Sequence, residues 1–244
     1  MSRTIAVVFA GGVGTRMGKA VPKQLLEVGN KPILVHTLDQ FQAHDTIDDV
    51  FLVVAEDQVE SMKTVTAKFG IDKVRKIVAG GSSAHESIMN GLEAAVNDGV
   101  SSDSVVLIHD GVRPILPYDL ITKNIKSVLE FGSAITSIPA FETVGISRDG
   151  VSIEGIPERS EMYVLQAPQS FRLGKIFSAN QRAREDGKVG DFIDQAHLMN
   201  YYNEKLHLVD GMRGNIKLTT PNDLEYFSYL FSSGEYQNLL GGQA

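Results

Sequence analysis

Through the first half of the chain, short apolar runs alternate with stretches whose apolar positions recur at helical spacing. The runs at 4–9, 50–55, 75–79, 104–108 and 134–138 have strand length. Between them, Ile33, Thr37, Leu38 and Phe41 fall on one helical face, as do Ile88, Leu92 and Ala95, and Ile121, Ile125, Val128 and Leu129. This alternation predicts an α/β fold, a doubly wound and mostly parallel sheet covered by helices on both faces. In such sheets ligands bind outside the carboxyl ends of the strands.

The rhythm changes between residues 141 and 170. Stretches at 143–147, 151–153 and 162–165 read as antiparallel ribbon strands, with Asp149-Gly150 as a hairpin signal. A ribbon projecting from a doubly wound sheet has little core of its own, so it is expected to pack on a partner subunit. The expected organisation is one domain over residues 1–244, with 141–170 as a β-arm insertion. Helices are expected at 174–184 and 192–202 and a strand at 205–209. A last helix is marked by Thr220 as N-cap, Pro221 in its first position and Asp223 in its first turn.

Composition narrows the function. The 244 residues carry 23 Lys+Arg against 30 Asp+Glu, a net charge of −7, so no nucleic-acid footprint is visible at whole-chain level. The chain contains no cysteine, which excludes disulfides and thiolate metal sites. No apolar run approaches the roughly 20 residues that span a bilayer, and the start of the chain carries no secretory signal. The expectation is a cytoplasmic protein with no membrane partner.

The densest chemical signal follows the first strand: Ala10-Gly11-Gly12-Val13-Gly14-Thr15-Arg16-Met17-Gly18, then Pro22-Lys23-Gln24. Glycines bring backbone N–H groups close to an anion, and Arg16 and Lys23 add two cations. The spacing is not that of an ATPase phosphate loop, because Gly18-Lys19-Ala20 lacks the hydroxyl that would hold magnesium. Nor is it a dinucleotide fingerprint, since Met17 occupies the third glycine position. A nucleoside triphosphate attacked at phosphorus suits it better; a plain strand-to-helix turn is the alternative.

His109-Asp110-Gly111-Val112-Arg113-Pro114 follows the fourth strand. Asp110 there can hold Mg²⁺ or act as a turn or cap, Arg113 can bind a phosphate through two N–H groups, and His109 reads as structural. No His-x-x-x-His pair is present to suggest zinc. Gly80-Gly81-Ser82, with Ser87 a turn later, can read a base edge or simply start a helix. Arg159 and Lys217 are isolated cations beside expected strand ends. Two anions brought together for phosphoryl attack repel by about 4 kcal/mol per close charge pair. Fixed cations and a metal would offset that; no covalent nucleophile is signalled.

In this order the motifs resemble those of the sugar-phosphate cytidylyltransferases: the glycine loop, Pro22-Lys23-Gln24, the stretch 29–37, His109 to Pro114, Gln166-Ala167-Pro168-Gln169-Ser170-Phe171, and Asn215-Ile216-Lys217 running on to Asp223-Leu224. The resemblance spans nearly the whole chain. It implies a Rossmann-like nucleotidyltransferase fold and a Mg²⁺-assisted reaction of CTP with a polyol phosphate, giving a CDP-polyol and pyrophosphate. Arg16, Lys23 and Lys217 would be the catalytic cations. Ala10, Gly11, Gly12, Gly14, Thr15, Gly81, Ser82, Ser87 and Asp110 would bind nucleotide, Asp110 also holding the metal. Arg113 would hold the acceptor phosphate with Lys217. The arm would form a homodimer and carry Thr143 and Arg159 to the partner's site.

The chain departs from the family pattern at Ala84, where arginine is usual, at Ala167, where threonine is usual, and across 192–196. Gly111-Val112 and Arg159 followed by Met162-Tyr163 resemble the ribitol 5-phosphate branch more than the methylerythritol phosphate branch. Val112, Met162 and Ala167 are then expected at the acceptor pocket. Ala84 and Ala167 also leave open a nucleotide-binding regulatory protein that has lost catalysis.

Overall fold

A computed structural model describes residues 2–10 and 22–241. Strand β1 (Thr4–Phe9) is followed by a small hairpin of β2 (Glu27–Val28) and β3 (Lys31–Pro32), helix α1 (Ile33–Ala43), β4 (Asp49–Val54), α2 (Val59–Lys68), β5 (Val74–Ala79) and α3 (Ala84–Asn97). Then come β6 (Val105–Asp110), α4 (Tyr118–Phe131), β7 (Ser133–Pro139), β8 (Tyr163–Arg172), α5 (Leu173–Glu185), α6 (Gln195–Tyr201), β9 (Leu208–Asp210), α7 (Pro221–Ser233) and α8 (Glu235–Leu239).

Among the described residues seven strands form one sheet in the order β5-β4-β1-β6-β8-β7-β9. β8 alone runs against its neighbours, pairing antiparallel with both β6 and β7. The other pairings, β1 with β4 and β6, β4 with β5, and β7 with β9, are parallel. Successive strand residues point to opposite faces, and the two cores follow that rule. Ala6, Val8 and Leu52 pack under α1, α2 and α4, while Ile5, Val7 and Val53 pack under α3, α5 and α6. Gly91 lets α3 lie close to the sheet, since a Cβ there would stand 2.5 Å from a Val7 methyl. A third core, under the β2–β3 hairpin, joins Ile33, Val112 and Ile115 to α7 and α8.

The expected strands of the first half are present to within two residues at each end. The last helix begins as its sequence specifies: Asp223 N–H donates to Thr220 Oγ1, and Thr220 N–H donates to the Asp223 carboxylate. The second half corrects two expectations. The stretch at 162–165 is not a ribbon strand but the beginning of β8, so the last residues assigned to the arm at 141–170 belong to the central sheet. Its amides and proline disguise it as a break in the pattern. Nor do the ribbon strands expected at 143–147 and 151–153 form: the excursion at 140–162 holds one isolated bridge, Ile146 with Gly155, and a turn whose Asp149 carboxylate accepts from Val151 N–H, Ser152 N–H and two serine hydroxyls. No described helix is long and apolar enough to cross a membrane.

Candidate functional site

The chain runs outward from β1 through β4 to β5, then returns to place β6 on the other side of β1. The crevice at this reversal lies between the carboxyl ends of β1 and β6, where Phe9 and Asp110 stand in register. Gly111 follows at once, its N–H donating to Phe9 O at 2.9 Å. A Cβ there would lie 2.8 Å from Ala10 Cβ and 2.9 Å from a Leu34 methyl. Gly111 therefore answers a packing need beneath the crevice.

Asp110 is buried at the centre of the site. Its Oδ1 accepts from Lys217 Nζ at 2.7 Å, and its Oδ2 from Arg113 Nε at 3.2 Å. Burial by itself raises the carboxyl, but Arg113 and Lys217 outweigh it and hold Asp110 below its ordinary range. Two cations around one carboxylate leave a local excess of positive charge in an acidic chain. Burial lowers the neighbouring His109 to about 4, so it is neutral; its Nε2 meets Arg113 O at 3.0 Å. That makes His109 structural.

Two cavities of about 210 and 170 Å³ meet at this seam, sharing Phe9, Ala84, Asp110 and Lys217. The smaller is also lined by Ala10, Lys23, Gly81, Ser82 and Ser87. Here Gly81 N–H donates to Ser87 Oγ at 3.2 Å, and Ser82 N–H and Oγ both donate to the Glu86 carboxylate. A Cβ on Gly81 would stand 2.3 Å from Glu86 Cβ, so only glycine lets the turn close on α3. The helix N-cap is Ser83, whose hydroxyl accepts from Glu86 N–H. The larger cavity is lined on its polar side by Arg113, His85, Gln166, Gln169, Asp194 and Gln195.

The structure thus gathers Ala10, Lys23, Gly81, Ser82, Ser87, Asp110, Arg113 and Lys217 around one seam. Gly11, Gly12, Gly14, Thr15 and Arg16 lie outside the described residues. Thr143 and Arg159 are exposed on the 140–162 excursion and line neither cavity. Of the residues expected at an acceptor pocket, Ala167 lines the larger cavity. Val112 lines the smaller one instead, and Met162 lines neither.

Sequence reasoning assigned no role to Gln169, Asp194 or Asn215. Asn215 is fully buried: its Nδ2 donates to Ala167 O at 2.7 Å and its O accepts from Arg113 Nη1 at 2.6 Å. One available signal was Asp194 before an apolar helical run, an N-cap pattern that the structure uses.

Residues 4–232 match the family described as IspD, 2-C-methyl-D-erythritol 4-phosphate cytidylyltransferase. The chain is 45% identical over 238 residues to the ribitol-5-phosphate cytidylyltransferase of Streptococcus agalactiae serotype III (strain NEM316), covering 97% of this chain and 99% of that one. It is 36% identical over 226 residues to the 2-C-methyl-D-erythritol 4-phosphate cytidylyltransferase of Clostridium botulinum (strain ATCC 19397 / Type A), covering 92% and 95%. The crystal structure of 4-diphosphocytidyl-2C-methyl-D-erythritol synthase from Anaerococcus prevotii DSM 20548 superposes with a TM-score of 0.79 at 28% identity, covering 95% of this chain and 99% of that one. Sheet, seam and sequence agree, and the chain belongs to the IspD family of cytidylyltransferases, nucleotidyl-transferring enzymes.

Proposed function

We propose that this enzyme joins CTP and ribitol 5-phosphate to give CDP-ribitol and pyrophosphate. The observation that carries the chemistry is the pair of cavities meeting at Asp110 and Lys217. In this reading the smaller cavity takes the nucleotide and the larger takes the acceptor. The ribitol assignment rests on the higher identity to the streptococcal relative, 45% against 36% for the clostridial one. CTP supply puts the reaction in the cytoplasm.

The acceptor phosphate attacks the α-phosphorus of CTP, forming a new P–O bond as pyrophosphate leaves. Lys217 reaches the seam from one side and Lys23 lines the nucleotide cavity on the other. Together they offset the repulsion between the two phosphates and the charge that develops at phosphorus. Arg113 Nε is engaged by Asp110 and Nη1 by Asn215 O, so Nη2 is the group left to face the acceptor phosphate. Arg16, in the glycine loop, belongs to the same reading.

Among the described residues no group of three or more His, Cys, Asp or Glu is arranged to hold a metal. Asp110 is the residue that would hold a Mg²⁺ arriving with the triphosphate, and it would do so as a single hard oxygen ligand whose oxygens also engage Lys217 and Arg113. Such an ion would neutralise phosphate charge beside Lys217.

The excursion at 140–162 completes the proposal as a homodimer contact. Val151, Ile153 and Ile156 are 91%, 70% and 64% exposed, an apolar surface a second copy would cover, bringing Thr143 and Arg159 to the partner's acceptor cavity.

The test is pyrophosphate release with CTP and Mg²⁺, with ribitol 5-phosphate and methylerythritol 4-phosphate assayed side by side. Preference for ribitol 5-phosphate is expected. Preference for methylerythritol 4-phosphate would keep the mechanism and overturn the acceptor.

A further inference from the structure

Four consecutive residues of β8, Gln166 to Gln169, hold three neighbouring segments. Gln166 Nε2 donates to Met212 O at 2.9 Å, and Ala167 O accepts from Asn215 Nδ2 at 2.7 Å. Pro168 O accepts from Thr136 Oγ1 at 2.7 Å. Gln169 uses both ends of its amide: Nε2 donates to Asp194 Oδ2 and Oε1 accepts from Ala196 N–H, both at 2.9 Å.

Two of these segments are walls of the larger cavity. One is the strap 211–217, which carries Lys217; the other is the strap 192–195, which leads into α6 and lines the cavity with Phe192, Ile193 and Asp194. The first strap is pressed on its clamp, since a Cβ on Gly211 would stand 2.4 Å from Gln166 Oε1. The second is anchored at its ends by Phe192, packed among His85, His197, Tyr201 and Tyr202, and by Gln195 Oε1, which accepts from Asn180 Nδ2 at 2.8 Å, while its rim between them is held through Asp194. Ile193 is 89% exposed although it lines the cavity, and Asp194 spends its other oxygen capping α6 through His197 N–H.

We propose that Gln166 and Gln169 are positioning residues that fix the two walls of the larger cavity and thereby set which acceptor it admits. This rests on the reading of that cavity as the acceptor site. An amide suits the position because it presents a donor to the Asp194 carboxylate and an acceptor to a peptide N–H at once. Glutamate at 169 would face Asp194 with a second carboxylate, and leucine would leave the buried Ala196 N–H without its acceptor and Asp194 Oδ2 without its donor.

The test separates the walls from the chemistry. Gln169→Leu and Gln166→Leu are assayed with the two acceptors varied at saturating CTP, and then with CTP varied. The expected result is an acceptor KM about tenfold higher, a CTP KM within about twofold of the parent, and a changed ratio between the two acceptors. Amide hydrogen exchange adds a readout independent of turnover: Gln169→Leu should speed exchange across 192–196 while α7 keeps its protection. If Gln169→Leu does not fold, Gln169→Asn keeps the polarity but shortens the reach, and the same results are expected. An unchanged acceptor ratio with unaltered exchange at 192–196 overturns the clamp and leaves the acceptor reading standing. If the parent turns over neither acceptor, the acceptor reading fails, and exchange alone decides whether Gln169 holds the strap.

Discussion

Strand β1 and the excursion at 140–162 both carry β-branched apolar residues, and these meet opposite fates. Ile5, Val7 and Val8 in β1 are wholly buried between two helical layers, whereas Val151 and Ile153 project from the body of the protein. β1 has parallel partners on both edges; the excursion has one bridge. Apolar β-branched content marks a segment that requires cover, and leaves open whether the cover comes from the same chain. In β1 it does, and the carboxyl end of the covered strand, paired on both edges, opens onto the seam. In the excursion it does not, which is why a second copy enters the proposed function.

The comparison breaks most sharply with one substitution made in both places. Val7→Glu would place a carboxylate against Gly91 and Val53 with no partner, and a loss of about 5 kcal/mol is expected, enough to prevent accumulation of soluble protein. Val151→Glu is expected to change the urea midpoint of the protomer by no more than about 0.5 kcal/mol, while shifting the sedimentation coefficient from dimer to monomer. A Val151→Glu protein that unfolds like Val7→Glu would show that the arm is part of the protomer core.

A second test joins the two regions through catalysis. Asp110→Ala leaves the Arg113 and Lys217 cations facing each other, and a loss of about 3 kcal/mol in stability is expected from breaking a buried pair. Pyrophosphate release should fall by about a hundredfold or more. Arg159→Ala on the arm should leave stability alone and lower activity. If the arm serves the partner's cavity, mixing Arg159→Ala and Lys217→Ala proteins under exchange conditions restores one intact site per mixed dimer, about a quarter of parent activity for random pairing over the residual activity of the two variants. No recovery would place Arg159 outside the partner's site.

How far the sequence revealed these regions depends on the range of the interactions involved. β1 is legible because its pattern is local: an apolar run ending in glycines. The start of α7 is legible because Thr220, Pro221 and Asp223 sit within one turn. β8 is not, because Gln166, Pro168 and Gln169 read as a break when their partners are unseen. Those partners lie 46 residues away at Met212 and 25 away at Asp194. The site divides in the same way. Asp110 and Arg113 are three residues apart and were readable as one constellation, while Lys217 could be joined to them only by motif order. Val112 was expected at an acceptor pocket; it lines the smaller of the two cavities.

Acidity provides a smaller perturbation that acts on the body and spares the arm. Burial lowers His36, His44, His85 and His109, whereas the excursion contains no histidine. His109 takes a proton below its ordinary 6.5 in the unfolded chain but only near 4 in the folded one. The unfolded state therefore binds more protons across that window, and stability falls as pH falls through it. Between pH 7 and pH 5 His109 alone should remove about 2 kcal/mol. His109→Asn should flatten the urea midpoint over that range, and a profile as steep as the parent's would assign the acid sensitivity to the other buried histidines.

The smallest effect sharpens the comparison by touching neither region directly. Thr220 caps α7 three residues beyond Lys217, so a loosened cap tests whether the strap that carries Lys217 depends on the helix that follows it. Thr220→Ala removes the acceptor for Asp223 N–H and should cost about 1 kcal/mol. Lys217 should not move, because Leu218 N–H donates to Val112 O at 2.8 Å and Asn215 is held by Ala167 O. The Asp223 carboxylate still accepts from Thr219 N–H at 2.8 Å, which secures the strap's far end. Thr220→Ala is therefore expected to lower the urea midpoint while kcat and both KM values remain those of the parent. A fall in kcat in step with stability would show that the strap takes its position from α7, and that the seam at Asp110 is set by the third core as well as by the sheet.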